Sequence, residues 1–244
     1  MNKLLITLPC YNEELVLEKS AKIIVDYAEK NLSNYGWRML VLDNASEDKT
    51  YDIAVALSGR DGRIFVDQCS QKGRGAALSM AWQKYQGYGI YSYMDIDLAT
   101  DIKDFRTLLT KIDDGHDIAV GSRYIPGAGI NRSFKREFLS RIYNFLLKIF
   151  FNVKFKDAQC GFKAYRGEVV SNIIPQVEDT GWFWDTESMI LAERKGYKIC
   201  EIPVTWREVR DELRQSKVSP FVEVVKQLKN IVRLRIRLWL HHAF

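Results

Sequence analysis

The sequence predicts an α/β fold in which a mainly parallel β-sheet is flanked by helices. Short, almost wholly apolar runs alternate with segments whose apolar residues recur at helical spacing, as in parallel sheets with crossover helices. Polar clusters directly follow several of these runs, at the strand ends where open α/β sheets bind ligands. A length of 244 residues suits one such domain with a small appendage.

The predicted strands of the first half are short and apolar, as expected of strands covered on both faces. They are Leu4–Leu8, Met39–Asp43, Arg63–Val66, Ile90–Asp95 and Asp117–Val120. The helices between them are predicted at Glu13–Asn31, Glu47–Leu57, Gly75–Gln86 and Ile102–Ile112. Asn12 and Ser46 stand just before acid-rich first turns and are predicted to cap two of these helices.

The second half is richer in aromatic and basic residues. Here we predict a loop entering a strand at Asp157–Lys163, a helix at Thr186–Lys195, a strand at Lys198–Val204 and a last helix from Pro220 to about Leu240. Residues 138–151 are apolar around most of the helical circumference, with their polar residues in one narrow stripe. This segment either packs in the core or lies in a membrane interface.

The net charge of +5 arises from the C-terminal part of the chain. Lys226, Lys229, Arg233, Arg235 and Arg237 are followed by no acid, whereas the rest of the chain has 31 basic and 31 acidic residues. Because apolar residues accompany these cations, the pattern favours attachment to an anionic membrane surface. The alternative is a helix that docks on the domain with its basic face in solvent.

Several classes of protein are disfavoured by the composition. The four cysteines form no CxxC pair, which argues against a zinc site or a disulfide scaffold. No window is apolar enough for a membrane span, so we expect a peripheral protein on the cytoplasmic face of a membrane. A basic module that binds nucleic acid is a further alternative, but the neutral body argues against it and we expect no nucleic-acid partner.

Asp95 and Asp97 form the sharpest local feature of the sequence. Two carboxylates at the tip of an apolar strand repel each other unless a cation lies between them. A hard divalent ion with oxygen ligands removes this repulsion and binds a diphosphate at the same time. The pattern therefore predicts a metal site; the alternative is a pair of acids that cap the helix starting near Ile102.

Two further clusters lie at neighbouring strand ends. The carboxylate or amide of Asp43-Asn44 is suited to the hydrogen-bonding edge of a base, although a helix cap would look the same. The segment Lys72-Gly73-Arg74-Gly75 opens a helix, where small residues let the backbone approach a ligand and the helix N-terminus attracts anions. Taken alone, it is equally consistent with a plain turn.

In combination these motifs resemble family-2 glycosyltransferases, and more narrowly the dolichyl-phosphate (polyprenyl-phosphate) glycosyltransferases. The resemblance covers roughly residues 3–235. DAQCGFK at 157–163 is similar to the DTQCGFK segment of dolichyl-phosphate glucosyltransferases. The other matching segments are 9–13 (PCYNE), 43–46 (DNAS), 72–75 (KGRG), 95–97 (DID), 121–124 (GSRY), 184–187 (WDTE), 202–206 (IPVTW) and 216–217 (SK).

The resemblance implies a GT-A nucleotide-diphospho-sugar transferase fold over residues 1–218, followed by a basic amphipathic helix at 219–244. It implies metal-dependent, inverting transfer of a hexose from UDP-glucose or a similar nucleotide sugar to a polyprenyl or dolichyl phosphate. A soluble family-2 enzyme acting on a saccharide is the alternative. Since a lipid phosphate is already ionised at neutral pH, it needs no general base.

The resemblance also implies roles for individual residues. Pro9, Tyr11, Asn12 and Glu13 frame the nucleotide, with Lys72 and Gly73 beside it and Asp43 or Asn44 on the base. Asp95 and Asp97 hold Mg²⁺ or Mn²⁺ on the donor diphosphate. Arg123, Arg136 and Ser140 face the phosphates or the lipid-phosphate acceptor, and Lys217 closes over the site.

Three positions depart from the family pattern. Asn44 replaces a frequent second acid, and its amide suits uracil better than guanine, which favours UDP over GDP although cytosine also fits. Ala99 replaces a glutamine of the mannosyl-transferring relatives. The Arg-x-x-Gly-x-Ser-Lys motif is disrupted, which leaves Arg207, Arg210 or Arg214 for the phosphate role.

Overall fold

The computed structural model of the chain describes residues 2–131, 134–207 and 220–240, without the side chains of residues 131, 134–136 and 220–224. Its strands are β1 (Asn2–Cys10), β2 (Tyr35–Asp43), β3 (Ile64–Gln68), β4 (Ile90–Met94), β5 (Ile118–Ser122), β6 (Gly129–Asn131), β7 (Phe162–Arg166), β8 (Ile199–Pro203) and β9 (Thr205–Arg207). Its α-helices are α1 (Leu17–Asn31), α2 (Thr50–Arg60), α3 (Arg74–Lys84), α4 (Phe105–Asp113), α5 (Phe134–Phe151), α6 (Gly167–Ile173), α7 (Trp184–Arg194) and α8 (Pro220–Leu240). Short 3₁₀ helices cover Ile102–Asp104 and Ile174–Gln176.

Seven strands form one sheet in the order β3-β2-β1-β4-β7-β5-β8, and β6 pairs with β9 separately. All pairings in the large sheet are parallel except those of β7, which runs antiparallel to both β4 and β5. The predicted α/β class with a mainly parallel sheet is therefore confirmed. Met94 pairs with Phe162, so the start of β7 lies beside the end of β4.

Two hydrophobic layers cover the faces of the sheet. Leu4, Ile6 and Leu8 of β1 belong to one layer and Leu5 to the other, as the two-residue period of a strand requires. All four side chains are fully buried, which explains why the predicted strands read as apolar runs. Thr7, on the same face as Leu5, accepts a hydrogen bond from Trp82 Nε1 at 3.0 Å and is satisfied in the core.

The predicted helix caps at Asn12 and Ser46 are wrong. Helices α1 and α2 begin at Leu17 and Thr50, several residues later than predicted. The two polar side chains instead join the two loops: Ser46 Oγ accepts from Asn12 N at 2.9 Å, and Asn12 Oδ1 accepts from Glu47 N at 2.7 Å. Both loops lie at the same edge of the sheet. The polar side chain of each loop therefore accepts from a backbone N–H of the other loop and not from the first turn of its own helix.

Helix α8 packs on the domain through one face and exposes the other. Ile231 and Leu234 are buried in the larger core layer. Val232 and Ile236, on the outer face, are about half exposed. The predicted boundary at 218/219 lies outside the described residues.

No helix in the described part of the chain combines the length and the apolar character that crossing a bilayer requires.

Candidate donor site at the carboxyl edge of the sheet

Strands β1, β2 and β4 end side by side, which brings the predicted polar clusters to one edge. Cys10 pairs with Asp43 at the ends of β1 and β2, and Thr7 pairs with Tyr93 near the end of β4. The loops that follow contain three non-glycine residues with positive φ: Asn12 (53°), Ala45 (58°) and Leu98 (50°). Asparagine adopts this conformation readily, but it is unfavourable for alanine and leucine, and such residues concentrate at functional sites.

Asp95 is held where β4 meets the segment that leads into β7. Its backbone N–H donates to Gly161 O at 3.0 Å. A Cβ on Gly161 would lie 2.1 Å from Asp95 Oδ2, so only glycine leaves the carboxylate its place. Asp97 turns back on its own loop, where Oδ1 accepts from Ala99 N at 3.1 Å.

A buried network of charges lies against Asp95. Arg74 Nη1 donates to Asp95 Oδ1 at 3.0 Å, and its other terminal nitrogen donates to the fully buried Asp185. Asp185 also accepts from Lys163 Nζ at 2.9 Å and from the hydroxyl of Tyr93. Two cations therefore face two anions, and only the carboxylate of Asp95, 40% exposed, opens to solvent.

The two carboxylates of this network differ in ionisation. Partial removal from water, reinforced by the charge of Asp97, raises the pKa of Asp95 to about 6, against the opposing charge of Arg74. Burial also acts to raise the pKa of Asp185, but the charges of Arg74 and Lys163 outweigh it and hold that pKa below its ordinary value. Asp185 is thus a permanent anion of the core, whereas Asp95 is the carboxylate that a further cation would stabilise.

Asp43 keeps one oxygen unpaired inside the site. Its Oδ2 accepts from Ser46 N at 3.3 Å and from Gln68 Nε2 at 2.9 Å. Its Oδ1 is buried and has no hydrogen-bond partner among the residues that the structure describes. A buried carboxylate oxygen left unpaired is costly, so this oxygen is suited to accept from a bound ligand.

Asn44, by contrast, uses its amide to build the neighbouring loop. Its Nδ2 donates to Gln71 O at 2.7 Å, and its Oδ1 accepts from Gly73 N at 2.8 Å. The side chain therefore shapes the turn before α3. Because both ends of the amide are engaged in the loop, the preference for uracil that we inferred from this amide loses its basis.

The other predicted nucleotide-binding residues line the same edge. Lys72 Nζ lies 3.4 Å from Tyr11 Oη and forms an ion pair with Glu47 at 2.6 Å. Glu13 N donates to Thr50 Oγ1 at 2.7 Å, and Pro9 is a β1 residue paired with Leu42.

Arg123, predicted to face phosphate, is committed to an internal ion pair. Its Nε and Nη2 each donate to a different oxygen of Asp157 at 2.8 Å, and its backbone N–H donates to the same carboxylate at 3.0 Å. Burial acts to raise the pKa of Asp157, but the charge and hydrogen bonds of Arg123 prevail and lower it. In this arrangement Arg123 fixes the segment that leads towards Gly161.

The remaining predicted residues belong to the second half of the chain. Ser140 is half-buried on α5. The side chain of Arg136 and all of Lys217, Arg210 and Arg214 lie outside the described residues, while Arg207 is exposed at the end of β9.

Sequence reasoning missed four residues of this site: Gly161, Arg74, Lys163 and Asp185. Each was inside a motif that we singled out, but none was assigned a role. The available signal was the charge of Lys163 and Asp185 within otherwise apolar surroundings, because charged residues are almost never fully buried unless they are paired.

Comparisons with known proteins agree with this geometry. The family model of glycosyl transferase family 2 matches residues 5–174. Glycosyltransferase AglD of Haloferax volcanii is 33% identical over 236 residues, which cover 96% of this chain but only 36% of AglD. Dolichyl-phosphate beta-glucosyltransferase ALG5D of Trichomonas vaginalis is 29% identical over 243 residues, covering 95% of this chain and 73% of the relative.

Solved structures show the same fold at lower identity. Glucosyl-3-phosphoglycerate synthase from Mycobacterium tuberculosis, solved with Mn²⁺, UDP and phosphoglyceric acid, superposes with a TM-score of 0.67 at 17% identity. The match covers 96% of this chain and 77% of the synthase. The GT-A fold implied by the sequence is thereby confirmed, and with more than half of its length matched by the family model, this chain belongs to glycosyl transferase family 2.

Proposed function

We propose that the protein transfers a hexose from a nucleoside-diphosphate sugar, with UDP-glucose as the first candidate, to a polyprenyl or dolichyl phosphate. The observation that carries the proposal is the placement of Asp95 and Asp97 at the end of β4, in a niche that Gly161 keeps open beside Arg74. The relative ALG5D is named for transfer to dolichyl phosphate, and the solved synthase holds UDP with Mn²⁺.

The residues present fit a divalent metal that is shared with the donor. Asp95 and Asp97 offer hard oxygen ligands at one loop, of the kind that Mg²⁺ and Mn²⁺ take in proteins. The described residues contain no group of three or more histidine, cysteine, aspartate or glutamate side chains that could enclose an ion by themselves. Two protein carboxylates plus diphosphate oxygens are the arrangement that this site suits. The bound ion would stabilise the charge of the departing nucleoside diphosphate.

Asp43 is the residue that we assign to the base. Its buried Oδ1 is an acceptor at the end of β2, one strand away from β1 and two from the end of β4. Uracil presents an N–H on its pairing edge, which supplies the missing donor. Asn44 contributes indirectly by holding the loop at Gly73.

The carboxylates of Asp185 and Asp157 near the site are both held in ion pairs, and this favours an acceptor that is already ionised. A hydroxyl acceptor needs a general base, whereas a phosphate does not. Within the described region, Asp185 is bound by Arg74 and Lys163 and shielded from solvent, and Asp157 is bound by Arg123. Neither carboxylate is available to take a proton from an acceptor, which supports phosphate over a saccharide hydroxyl.

We place the acceptor at a membrane surface reached by α5 and α8. Helix α5 exposes Phe138, Ile142, Phe145 and Ile149 at helical spacing, with Phe145 62% exposed. Helix α8, which contacts α5, exposes Leu228, Val232, Ile236 and Trp239, with Trp239 66% exposed. Soluble surfaces rarely expose such rows, which are typical of helices lying in a lipid interface.

The basic residues of α8 fall into two groups, one paired with the domain and one exposed. Arg233 and Arg237 pair with Glu178 on the domain, so docking occupies them. Lys226, Lys229 and Arg235 are exposed, and each cation near an anionic lipid surface contributes about 1 kcal/mol. Membrane attachment and docking, which we gave as alternatives for this helix, are therefore combined in the proposal. The helix docks on the domain through one face and presents a basic, apolar outer face to lipid.

A transfer assay with vesicles tests the proposal directly. The full chain is incubated with UDP-glucose and polyprenyl phosphate in anionic vesicles, with Mg²⁺ or Mn²⁺ or with chelator, and the lipid product is counted. We expect metal-dependent product that falls by at least about 100-fold in Asp97→Ala. UDP-GlcNAc, GDP-mannose and a soluble saccharide acceptor are run in parallel.

The results separate the parts of the proposal. Product that forms equally well with chelator, or in Asp97→Ala, contradicts the metal site. Transfer to the saccharide but not to the lipid phosphate contradicts the acceptor. A preference for GDP-mannose contradicts the donor.

A further inference from the structure

Segment 178–182, which precedes α7, forms one wall of the donor site. A Cβ on Gly73 would lie 2.1 Å from Thr180 O, so the start of α3 packs directly against this segment. Ala76 N donates to the same oxygen at 3.0 Å. Trp182 lies over the guanidinium of Arg74, with its ring centroid 4.3 Å from Cζ. The position of the segment therefore determines the surroundings of Arg74.

Helix α8 holds the same segment. Arg237 bridges Glu178 at 2.9 Å and Glu187 at 2.6 Å, and Asn230 Nδ2 donates to Asp179 Oδ2 at 2.8 Å. The side chains of Arg237 and Glu187 are 17% and 4% exposed. The Arg237–Glu187 pair is so far removed from water that it is costly to break from one side, whereas the pair with Glu178, whose side chain is 49% exposed, contributes less.

Glu187 connects the helix to the backbone of the segment. Its carboxylate accepts from Glu178 N at 3.0 Å and from Asp179 N at 2.9 Å, in addition to the guanidinium of Arg237. A continuous series of contacts therefore leads from α8 through Glu187 to segment 178–182, and from there to Arg74.

We propose that Arg237 is a positioning residue for the donor site, acting through Glu187 and segment 178–182 on Arg74 and Asp95. The inference rests on the proposed function, because it takes Asp95 to be part of that site. It gives α8 a role in nucleotide binding that is separate from contact with lipid. Removing the guanidinium releases the segment, and Arg74 loses the wall that keeps it beside Asp95.

Binding of UDP with Mn²⁺ to the full chain, measured by titration calorimetry without vesicles, tests this role. We expect Arg237→Gln to raise the Kd about fivefold to tenfold, the size of a modest coupling between two sites. Arg237→Lys keeps a cation in place and is expected to recover part of the affinity. The matched control is Arg60→Gln, which removes an exposed 2.6 Å pair with Glu18 between α2 and α1 and should leave the Kd unchanged.

A double variant tests the route of the effect. If Arg237 acts through segment 178–182, Arg237→Gln combined with Trp182→Ala should raise the Kd no further than the more damaging single change, because both release the same wall. Strictly additive effects would contradict the route.

The outcomes distinguish this inference from the proposed function. An unchanged Kd in Arg237→Gln, whether or not its melting temperature falls, overturns the inference when Asp97→Ala still abolishes binding. Binding that survives in Asp97→Ala as well contradicts the proposed function itself. If Arg237→Gln does not fold, Arg237→Met and Glu187→Gln take its place, because each removes one partner of the Arg237–Glu187 pair. An unchanged Kd in both overturns the inference.

Discussion

Asp95 and Gly161 meet both through their backbones and through the space of a missing side chain: the amide of Asp95 donates to the carbonyl of Gly161, and the carboxylate occupies the volume that a Cβ at 161 would take. The loop that carries Asp95 and Asp97, the proposed metal ligands, thus depends on a residue that lies far from it in sequence and comes from the segment entering β7. This contact between the two halves of the chain can be broken without touching a charged group.

Gly161→Ala is expected to reduce transfer by at least about 100-fold while the protein stays folded. The new methyl group forces the short side chain of Asp95 to rotate away, and that movement displaces the proposed metal ligand without opening the core. Metal-dependent UDP binding and thermal melting, measured together, check this result. Gly62→Ala, where nothing lies within 4 Å of a new Cβ, serves as the control. Full activity in Gly161→Ala would show that the position of Asp95 is unimportant.

Asp43→Asn is expected to weaken UDP binding by about 1–3 kcal/mol, since the change places a donor or an uncharged acceptor opposite the base. The measurement is the Kd for UDP in the presence of Mn²⁺. Asp67→Asn removes a carboxylate of β3 that pairs with the exposed Lys84, and is expected to leave the Kd unchanged. Equal affinities in both variants would exclude Asp43 from contact with the base.

Asp157→Asn is expected to destabilise the fold by about 3–5 kcal/mol at pH 7, because it leaves the guanidinium of Arg123 buried without its counter-ion. The pKa of Asp157 is lowered in the folded chain, so its contribution to stability is complete above the unfolded value of about 3.9 and is lost as the pH falls through the lower folded value. The difference from wild type should therefore shrink below about pH 4.

Urea unfolding of wild type and Asp157→Asn from pH 7 down to pH 3.5 measures this dependence. Asp61→Asn is the comparison, since Asp61 also has a lowered pKa but pairs with Arg63, whose side chain is 42% exposed. There we expect a loss of less than about 1 kcal/mol. A difference for Asp157→Asn that stays constant down to pH 3.5 would contradict the ion-pair explanation.

Phe145→Ser on α5 and Trp239→Ser on α8 are expected to weaken binding to anionic vesicles, each by about 1.5–3 kcal/mol if the side chain is fully buried in lipid. Co-sedimentation with the vesicles gives the bound fraction. Val55→Ser on α2 removes an apolar side chain that is also about half exposed and should change nothing. Loss of UDP binding in solution by Phe145→Ser would indicate a damaged fold instead, so that measurement accompanies the assay.

Much of the N-terminal half of the chain, which carries Asp43 and Asp95, could be predicted from sequence because the burial of its strands determines the pattern of apolar residues. Strands buried on both faces must be apolar, and the ligand-binding side chains must follow their carboxyl ends, so Asp43 and Asp95 were located before the structure. The direction of β7 could not be predicted in this way. Residue periodicity identifies a strand, but it is the same whether the neighbour runs parallel or antiparallel.

The contacts of individual polar residues were less predictable still. Asn12 precedes a helical pattern like a cap, yet its partner is the loop at Ser46, which approaches only after β1 and β2 have paired. Arg123 and Lys163 are cations whose partners, Asp157 and Asp185, are distant in sequence. Burial and pairing decide their roles, and neither is a local property.

The antiparallel direction of β7 has a consequence for how this protein could diversify. Strand β5 ends at the ligand-binding edge, and β7 begins at that same edge. The intervening stretch, 123–161, leaves the sheet and rejoins it on one side, like an inserted cassette. The buried residues of this stretch, among them Leu147 of α5 and Asp157, belong to the interior of the protein and must keep their contacts. Its exposed residues, such as Phe145, can change without altering the strand order. New acceptors could therefore be acquired through the exposed residues of one stretch of chain, provided that its final residue remains a glycine beside Asp95.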